Sequence, residues 1–434
     1  MIHSISYLHS AKDILVAYKG EEPFSSFLKK YFAQHKKYGS RDRKQISHLC
    51  YCYFRLGKAT SPNPLQRRGL YQQSLQIEER ILIGLFLCSN ESNVILQDLK
   101  PEWSLTPDPS PHGEGRNARF QMKLSSLNYH LTSQDIFPWA DELSADIDKE
   151  QFIFSHFQQP DLFLRLRPGK EKMVKQKLQQ AGIDFRIISD SCLALNNASK
   201  VDSIIELDKE AVVQDWSSQQ TGKLLQQATP SDQIIRAGSN KQPTYRAGRP
   251  ATIKAWDCCA GSGGKSIMLF DLNPKIELTV SDVRESILIN LKKRFSNAGI
   301  KNYHSFVVNL TSSLPAGQAG QQQETSNYDL IIADVPCTGS GTWSRTPEQL
   351  YYFNKEKINE YASLQRKIVS NVIPYLKPGG FLLFITCSVF KKENEEVVDF
   401  IQKEFNLQSQ EMQVLKGYNK KADTMFVALL KRNL

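Results

Sequence analysis

Two cysteines stand where an apolar, strand-like run of the sequence gives way to a loop. Cys337 lies in DVPCTGSG (334–341), after the run YDLIIADV, and Cys387 lies in TCS (386–388), after the run FLLFITC. A thiolate is a strong nucleophile and a thiol can exchange a proton, so such a pair is suited to covalent catalysis. Parallel strands bring their carboxyl ends to one edge of a sheet, where ligands bind. We therefore expect Cys337, Cys387 and Asp334 to share one reactive site.

A loop of small residues follows another strand-like run, TIKAWDC, and opens a helical pattern. Small residues let the main chain turn tightly, and the helix offers its free N–H groups to a ligand. The spacing excludes two phosphate-binding motifs, because a P-loop requires Gly where Cys259 stands and a dinucleotide fingerprint requires Gly where Ser266 stands. The loop therefore indicates a nucleoside-type cofactor without a pyrophosphate. We predict contacts to this cofactor from Cys259, Ala260, Gly261, Ser262, Gly263, Gly264 and Lys265.

Polar residues end the next two strand-like runs, IELTVSD and HSFVVN. Asp282, 25 residues after Asp257, can accept hydrogen bonds from both hydroxyls of a ribose. Asn309 can meet the edge of an adenine. An Asp at a strand end often only caps a helix, but Asp282 together with the glycine-rich loop favours S-adenosylmethionine. We include Asp282, Asn309 and Asp334 in the predicted cofactor site.

The elements that must position these residues alternate between strand and helix from residue 251 onwards. Five continuous apolar runs, as expected for strands buried on both faces, are separated by helical patterns such as VRESILINLKKRF. This alternation predicts a doubly wound parallel sheet, an α/β Rossmann-like domain over 216–434. Before it, a strand over 161–167, a helix over 171–182 and a strand over 184–189 predict a small βαβ unit within 155–215.

The small unit is rich in basic residues, which either form the solvated side of a helix or contact RNA, and the sequence does not separate the two. They are Arg165, Arg167, Lys170, Lys172, Lys175, Lys177 and Arg186.

Helical spacing of apolar residues, such as Ala11, Ile14, Leu15 and Tyr18, predicts an all-helical N-terminal domain over 1–145. Polar segments rich in Gly, Pro or Gln predict surface insertions at 106–119 and 314–324 and a connector at 228–250.

Charge is distributed unevenly along the 434 residues. The chain holds 55 Lys and Arg against 45 Asp and Glu, a net charge of +10, and residues 1–75 alone hold 13 basic and 4 acidic residues, a net charge of +9. A localised basic block indicates a polyanionic partner. Lys29, Lys30, Lys36 and Lys37 belong to it.

Composition narrows the class of protein. A hydrophobic fraction of 40% with 22 Phe and 16 Tyr excludes a disordered chain. No apolar run reaches the roughly 18 residues that span a bilayer, and the start of the sequence lacks the pattern of a secretory signal. The 8 cysteines show no C-x-x-C spacing, which argues against a zinc site or a disulfide framework. We expect a cytoplasmic monomer with no membrane and no metal partner.

Three motifs, DCCAGSGGK, DVPCTGSG and FITCSVFKKENEEVV, together resemble those of the RsmB/Sun/Nop family of RNA cytosine-5 methyltransferases. The resemblance covers most of 160–434 and, more loosely, extends to SRDRKQISHLCYCYFRLGK (40–58), which is similar to the NusB-like RNA-binding domain of bacterial ribosomal-RNA members. DNA cytosine-5 methyltransferases are less similar because they lack the Thr-Cys thiol. Two departures stand out: Gly261 and Ser262 replace the usual Ala-Pro, and Asn309 replaces the usual Asp.

This resemblance implies S-adenosylmethionine-dependent methylation of cytosine C5 in RNA, with 16S ribosomal RNA as the favoured substrate. It implies that Cys387 adds to C6 as the nucleophile and that Cys337 assists loss of the C5 proton and release of Cys387. Asp334 is expected to hydrogen-bond the cytosine edge, and Lys265 to orient Asp334 or favour a thiolate. A transfer-RNA substrate stays open, as does a non-catalytic RNA-binding factor of ribosome assembly, although the intact motifs weigh against the latter.

Overall fold

A computed structural model of the chain describes residues 2–59, 76–103, 116–127, 131–229, 252–312 and 328–434. The chain divides into two compact units. The first comprises residues 1–143, 147–159 and 342–355, and the second comprises residues 144–146, 160–341 and 356–434. The small α/β domain and the Rossmann-like domain predicted from the sequence thus belong to one unit, and most of the predicted helical domain belongs to the other. None of the described helices has both the length and the apolar character needed to cross a membrane.

Every regular element described in the first unit is a helix, as the apolar spacing predicts. Ala11 and Ile14 are fully buried, and the buried rings of Phe24 and Phe54 meet edge to face at 5.0 Å. The helices are Ile2–Ala17 (α1), Phe24–Gln34 (α2), Ser40–Arg55 (α3), Ile77–Cys88 (α4), Val94–Leu99 (α5), Arg116–Ser126 (α6), Ser133–Ile136 (α7), Lys149–Ser155 (α8) and Pro347–Tyr352 (α14).

The start of α6 corrects the prediction of a surface insertion over 106–119. The last four residues of that segment are helical, because α6 buries Phe120 and Leu124 one turn apart and so has an apolar face. Residues 106–115 lie outside the described part of the chain, as do most of the predicted connector over 228–250 and the predicted insertion over 314–324.

The second unit begins with a four-stranded antiparallel sheet in the order β2-β3-β1-β4. Its elements are Leu162–Leu166 (β1), Glu171–Gln180 (α9), Phe185–Ser189 (β2), Cys192–Leu195 (β3) and Ala211–Val213 (β4). The predicted strand, helix and strand are present as β1, α9 and β2. However, β3 lies between the two strands, so they are not neighbours in the sheet.

A seven-stranded sheet in the order β10-β11-β9-β8-β5-β6-β7 completes the second unit. Its strands are Lys254–Asp257 (β5), Glu277–Asp282 (β6), Tyr303–Val307 (β7), Tyr328–Asp334 (β8), Leu376–Thr386 (β9), Leu407–Leu415 (β10) and Met425–Arg432 (β11). The helices of this part are Trp216–Gln220 (α10), Gly222–Ala228 (α11), Gly264–Leu272 (α12), Glu285–Ala298 (α13), Glu356–Val372 (α15) and Glu395–Glu404 (α16).

The five strands β5 to β9 are parallel, which confirms the predicted Rossmann-like α/β class. At one edge the sheet departs from the predicted parallel arrangement, because β11 runs antiparallel to β9 and β10. The chain adds β6 and β7 on one side of β5 and returns to place β8 on the other, so the winding reverses between β5 and β8. Ligands of such sheets bind beyond the carboxyl ends of the strands at this reversal.

Candidate active site

The two sequence-predicted cysteines come together at the carboxyl ends of β8 and β9. The main-chain N–H of Cys387 donates a hydrogen bond to Sγ of Cys337 at 3.3 Å. The loop that carries Cys337 is tied to the strand that carries Cys387, because the N–H of Gly341 donates to the carbonyl of Cys387 at 2.8 Å. Position 341 requires glycine, because a Cβ there would lie 1.8 Å from the carbonyl oxygen of Thr424. The main chain therefore fixes both thiols.

The electrostatic state of Cys337 depends on its neighbour. A hydrogen bond with the Cys387 side chain raises the pKa of Cys337 well above its ordinary value, and burial and the nearby Glu393 carboxylate act in the same direction. Cys337 therefore holds its proton as long as the Cys387 side chain lies unmodified beside it.

Lys265 and Asp334 form an ion pair next to these cysteines. Nζ of Lys265, in the first turn of α12, lies 2.6 Å from Oδ2 of Asp334 at the end of β8. Burial disfavours the charge on Lys265, but the carboxylate of Asp334 and then the sulfur of Cys387 outweigh burial and raise the pKa of Lys265. The site thus keeps a cation close to the sulfur of Cys387, and the predicted orientation of Asp334 by Lys265 has the geometry it requires.

The glycine-rich loop between β5 and α12 forms a tight cradle. Gly263 has φ +84°, and a Cβ there would lie 2.7 Å from Cε1 of Phe295. The N–H of Gly261 donates to Oδ2 of Asp282 at 3.0 Å, which ties the loop to the end of β6. Gly263 thus lets the loop pack against α13, whereas a Cβ at Gly261 or Gly264 would meet no other atom within 4 Å.

Asp282 is buried and ionised. Burial opposes its charge, but hydrogen bonds from the side chain and N–H of Arg284 and from Gly261 outweigh that effect and lower the pKa of Asp282. The Arg284 side chain is 60% exposed and lies 3.0 Å from Oδ1 of Asp282. The Arg284 side chain can therefore move into solvent and leave the Asp282 carboxylate free to accept hydrogen bonds from ribose hydroxyls.

The structure places Asn309 differently from the strand-end position expected for it. Strand β7 ends at Val307, and Asn309 stands exposed in the turn beyond it. Its carboxamide oxygen accepts hydrogen bonds from the N–H of Thr311 at 3.0 Å and from the hydroxyl of Thr311 at 2.7 Å. This oxygen is thus engaged within its own turn.

Asp257 lies beside the glycine-rich loop, and the sequence did not single it out. It ends β5, is 1% exposed, and accepts a hydrogen bond from the hydroxyl of Ser266 at 2.6 Å through Oδ2. Its Oδ1 is buried and has no hydrogen-bond partner among the described residues. Burial raises the pKa of Asp257 to about 7. An orphaned buried acceptor beside the loop fits a ligand that brings an N–H donor, as S-adenosylmethionine does.

Glu393 is a second residue that the sequence did not single out, although it lies in the FITCSVFKKENEEVV motif. Its fully buried carboxylate accepts from the N–H of Thr338 at 2.8 Å, from the hydroxyl of Thr338 at 2.6 Å and from the hydroxyl of Ser388 at 2.7 Å. Thr338 follows Cys337 and Ser388 follows Cys387, so one carboxylate joins both cysteine loops. Burial raises the pKa of Glu393, and these hydrogen bonds partly offset that effect.

Within the described part of the chain, no three His, Cys, Asp or Glu side chains form a group that could hold a metal ion.

Part of the chain that carries this site is similar to proteins of known function. Residues 251–431 match the family model described as 16S rRNA methyltransferase RsmB/F. The ribosomal RNA small subunit methyltransferase B of Enterobacter sp. (strain 638) is 32% identical over 151 residues, which are 35% of this chain and 34% of that protein. The match therefore spans about a third of the length of such curated relatives.

Solved structures extend the likeness of fold beyond that region. The crystal structure of PH0851 superposes over 98% of both chains with a TM-score of 0.63 at 18% identity. NSun6 from Pyrococcus horikoshii, solved with an analogue of S-adenosylmethionine, covers 68% of this chain and 97% of its own with a TM-score of 0.54 at 14% identity. At these identities the likeness is one of fold.

Proposed function

We propose that the chain transfers a methyl group from S-adenosylmethionine to C5 of a cytosine in RNA, because residues 251–431 match the model of the 16S rRNA methyltransferase RsmB/F family. The single observation that carries the cytosine-5 assignment is the pair of adjacent thiols, Cys337 and Cys387, beside the Lys265–Asp334 ion pair. A methyltransferase acting on a good nucleophile such as an amine needs no protein thiol. Two thiols at one site suit a carbon that must first be activated.

The first step of the proposed reaction is addition of the Cys387 thiolate to C6 of cytosine. C5 is a weak nucleophile, and a covalent adduct at C6 activates it. As the S–C6 bond forms, the C5=C6 electron pair shifts toward C5 and N3, and the charge of the thiolate passes to the ring. Asp334 accepts a hydrogen bond from the amino group of the base, and the nearby Lys265 cation offsets the negative charge on the ring.

The cofactor, when bound, supplies an electrophilic methyl group. Gly261, where a Cβ would meet no other atom within 4 Å, would let the main chain of the loop approach it closely. Asp282 would accept from its ribose hydroxyls, and the unpartnered Oδ1 of Asp257 would accept from an N–H donor.

The second role falls to Cys337. Once C5 carries the methyl group, its proton must leave, and the C–H electron pair re-forms C5=C6 while the S–C6 bond breaks and Cys387 departs as a thiolate. With Cys387 bonded to carbon, the thiol–thiol hydrogen bond that raises the pKa of Cys337 is lost. Cys337 can then give its own proton to solvent and accept the one from C5.

The basic block of the helical unit is the proposed docking surface for the RNA backbone. Lys29 and Lys30, in the middle of α2, and Lys36 and Lys37, in the turn after it, are all exposed. Exposed Arg41, Arg43 and Lys44 follow at the N-terminal end of α3, where the helix dipole also favours phosphate. Arg55 is not part of this surface, because it is 4% exposed and donates to the carbonyls of His156 and Gln158.

The substrate we propose is small-subunit ribosomal RNA, which the curated relatives' names favour and which implies a cytoplasmic enzyme. Bisulfite sequencing of total RNA from cells that lack the protein tests this directly. We expect loss of a single 5-methylcytosine in 16S rRNA, restored by the intact chain and not by the Cys387→Ala variant. Loss of a transfer-RNA site instead would identify the alternative substrate. No altered site would contradict the methyltransferase and favour a non-catalytic assembly factor.

A further inference from the structure

We propose that Arg294 and Asp208 are positioning residues that hold the cofactor loop in its binding shape, so that the small antiparallel sheet sets the affinity for the cofactor. Asp208 lies just before β4 of that sheet, and Arg294 lies on α13 of the large sheet. This inference rests on the proposed function, since it assumes that residues 259–265 bind S-adenosylmethionine.

The loop makes direct contact with α13 at two successive residues. Gly263 packs so closely on this helix that a Cβ would lie 2.7 Å from Phe295 and 3.1 Å from Leu291. Ser262, next to it, accepts two hydrogen bonds from Nη1 of Arg294, through its carbonyl at 3.0 Å and through its hydroxyl at 2.9 Å. Arg294 is thus the side chain that holds the loop at Ser262 by both main-chain and side-chain oxygens.

The remaining nitrogens of Arg294 are held by Asp208. Nε lies 3.0 Å and Nη2 lies 2.7 Å from the Asp208 carboxylate, and the two side chains are only 18% and 10% exposed. A bidentate pair of this kind fixes the plane of the guanidinium group. Fixing that plane also fixes the direction in which Nη1 points, which is toward Ser262.

Asp208 is itself secured in an uncommon conformation. Its φ is +66°, in the left-handed region that a residue other than glycine adopts only with support. Its N–H donates to the carbonyl of Ala211 at 2.8 Å, and its carbonyl accepts from Nη1 of Arg167 at 3.0 Å. Hydrogen bonds therefore hold both the main-chain N–H and the main-chain carbonyl of Asp208 in place.

Arg167 extends the support to α12, through a residue in the last turn of that helix. Its Nη2 lies 2.6 Å from Oδ1 of Asp271 on α12, the helix that the loop opens, and Arg165 lies 2.5 Å from Oδ2 of the same carboxylate. Both arginines are at least 88% buried. The two buried basic residues of β1 and the turn after it thus brace the helices on which the loop rests, and they are not RNA contacts.

The loop needs this support because it contains three glycines, Gly261, Gly263 and Gly264. A glycine-rich segment loses more conformational freedom on ordering than any other, and a ligand must provide that free energy unless the protein has already done so. Arg294 holds the loop before the cofactor arrives, and Asp208 holds Arg294.

Calorimetric titration of the full chain with S-adenosylhomocysteine, without RNA, tests the inference. We expect Arg294→Met to weaken binding about tenfold and Ser262→Ala or Asp208→Asn to weaken it about threefold to fivefold, in keeping with the loss of charge-assisted hydrogen bonds. The double variant Arg294→Met/Asp208→Asn should bind no more weakly than Arg294→Met, because Asp208 acts through Arg294. Lys293→Ala, an exposed neighbour on α13, is the matched control and should bind like the unaltered chain.

Two further measurements distinguish the positioning of the cofactor loop from a contribution to the stability of the fold alone. Asp208→Asn, at a residue that does not contact the proposed cofactor, should raise the KM for S-adenosylmethionine in methylation assays while kcat at saturation is retained. Saturating S-adenosylhomocysteine should still raise the thermal unfolding midpoint of this variant, as it does for the unaltered chain. If the unaltered chain binds and all three single variants bind equally well, the positioning role is wrong and the proposed function stands. If the unaltered chain itself fails to bind, the proposed function is wrong and the inference falls with it.

Discussion

The main-chain N–H of Cys387 points at the sulfur of Cys337 from 3.3 Å, although the two residues stand 50 positions apart in the chain. This contact exists because β8 and β9 are parallel neighbours in register, with Asp334 paired to Ile385. Each thiol consequently belongs to the environment of the other. The ionisation of one must respond to the chemical state of its neighbour.

The first prediction concerns that response. Replacing Cys387 by Ala removes the hydrogen bond that is the largest cause of the raised pKa of Cys337. The pKa of Cys337 should then fall, so that more thiolate is present at any given pH and iodoacetamide labels Cys337 faster. Labelling rates measured by mass spectrometry from pH 7 to about 10 should show the profile displaced to lower pH. Cys192→Ala, in the small sheet, is the control and should leave the profile in place.

Glu393 supports both cysteine loops, and its removal should be costly. Glu393→Ala leaves the N–H of Thr338 and the hydroxyls of Thr338 and Ser388 without their acceptor. Buried donors that lose their partner cost about 1–3 kcal/mol each, so the free energy of unfolding should fall by about 3–5 kcal/mol. Denaturant titration measures this change. Asp399→Ala, an exposed carboxylate of α16, should change it by less than about 0.5 kcal/mol, and an equal loss in both variants would refute a special role for Glu393.

The two residues predicted to meet the ribose and the adenine of the cofactor, Asp282 and Asn309, should differ in importance. Asp282→Ala removes the acceptor of the Gly261 N–H and of the proposed ribose hydroxyls, and should weaken S-adenosylhomocysteine binding about tenfold or more. Asn309→Ala should weaken it by less than about threefold, because the carboxamide oxygen already serves Thr311. Calorimetry on both variants decides the point. A larger effect at Asn309 than at Asp282 would contradict our placement of the ribose and adenine.

The basic block should govern how salt affects RNA binding. Charge-removing substitution of its four lysines should weaken binding and lower the slope of log K against log salt by up to about 3, since each phosphate contact contributes slightly less than one unit. The variant replaces Lys29, Lys30, Lys36 and Lys37 by Ala. The matched control replaces four exposed lysines of the other unit by Ala: Lys275, Lys301, Lys403 and Lys416. The same slope for both variants would show that the block does not dock the RNA.

Much of this site could be predicted from the sequence because of one rule of strand geometry. Parallel strands buried on both faces read as apolar runs, and their carboxyl ends meet at one edge, so the sequence predicts that Asp334, Cys337 and Cys387 lie together. The glycine loop was recognisable for a similarly local reason, the absence of side chains over several consecutive positions. These signals lie within a few residues of each other in the chain.

The remainder depends on contacts between distant parts of the chain. A basic residue on a strand looks the same in sequence whether it faces solvent or an internal carboxylate, so Arg165 and Arg167 gave no sign of their partner Asp271 about 105 positions away. Glu393 reads as one acid among several in an amphipathic helix start, and only the fold brings it to Thr338. Strand β3 is four residues long and follows a two-residue turn, too short for a periodic pattern.

The most direct test of the account is a trapping experiment on the two thiols. If Cys387 adds to cytosine C6 and Cys337 is needed to release it, incubation of Cys337→Ala with substrate RNA and S-adenosylmethionine should yield a covalent protein–RNA complex that survives denaturing electrophoresis. Cys387→Ala should yield no complex and no methylated product, with Cys192→Ala behaving like the unaltered chain. A covalent complex from Cys387→Ala and none from Cys337→Ala would reverse the two roles, and full methylation by Cys387→Ala would contradict the covalent mechanism itself.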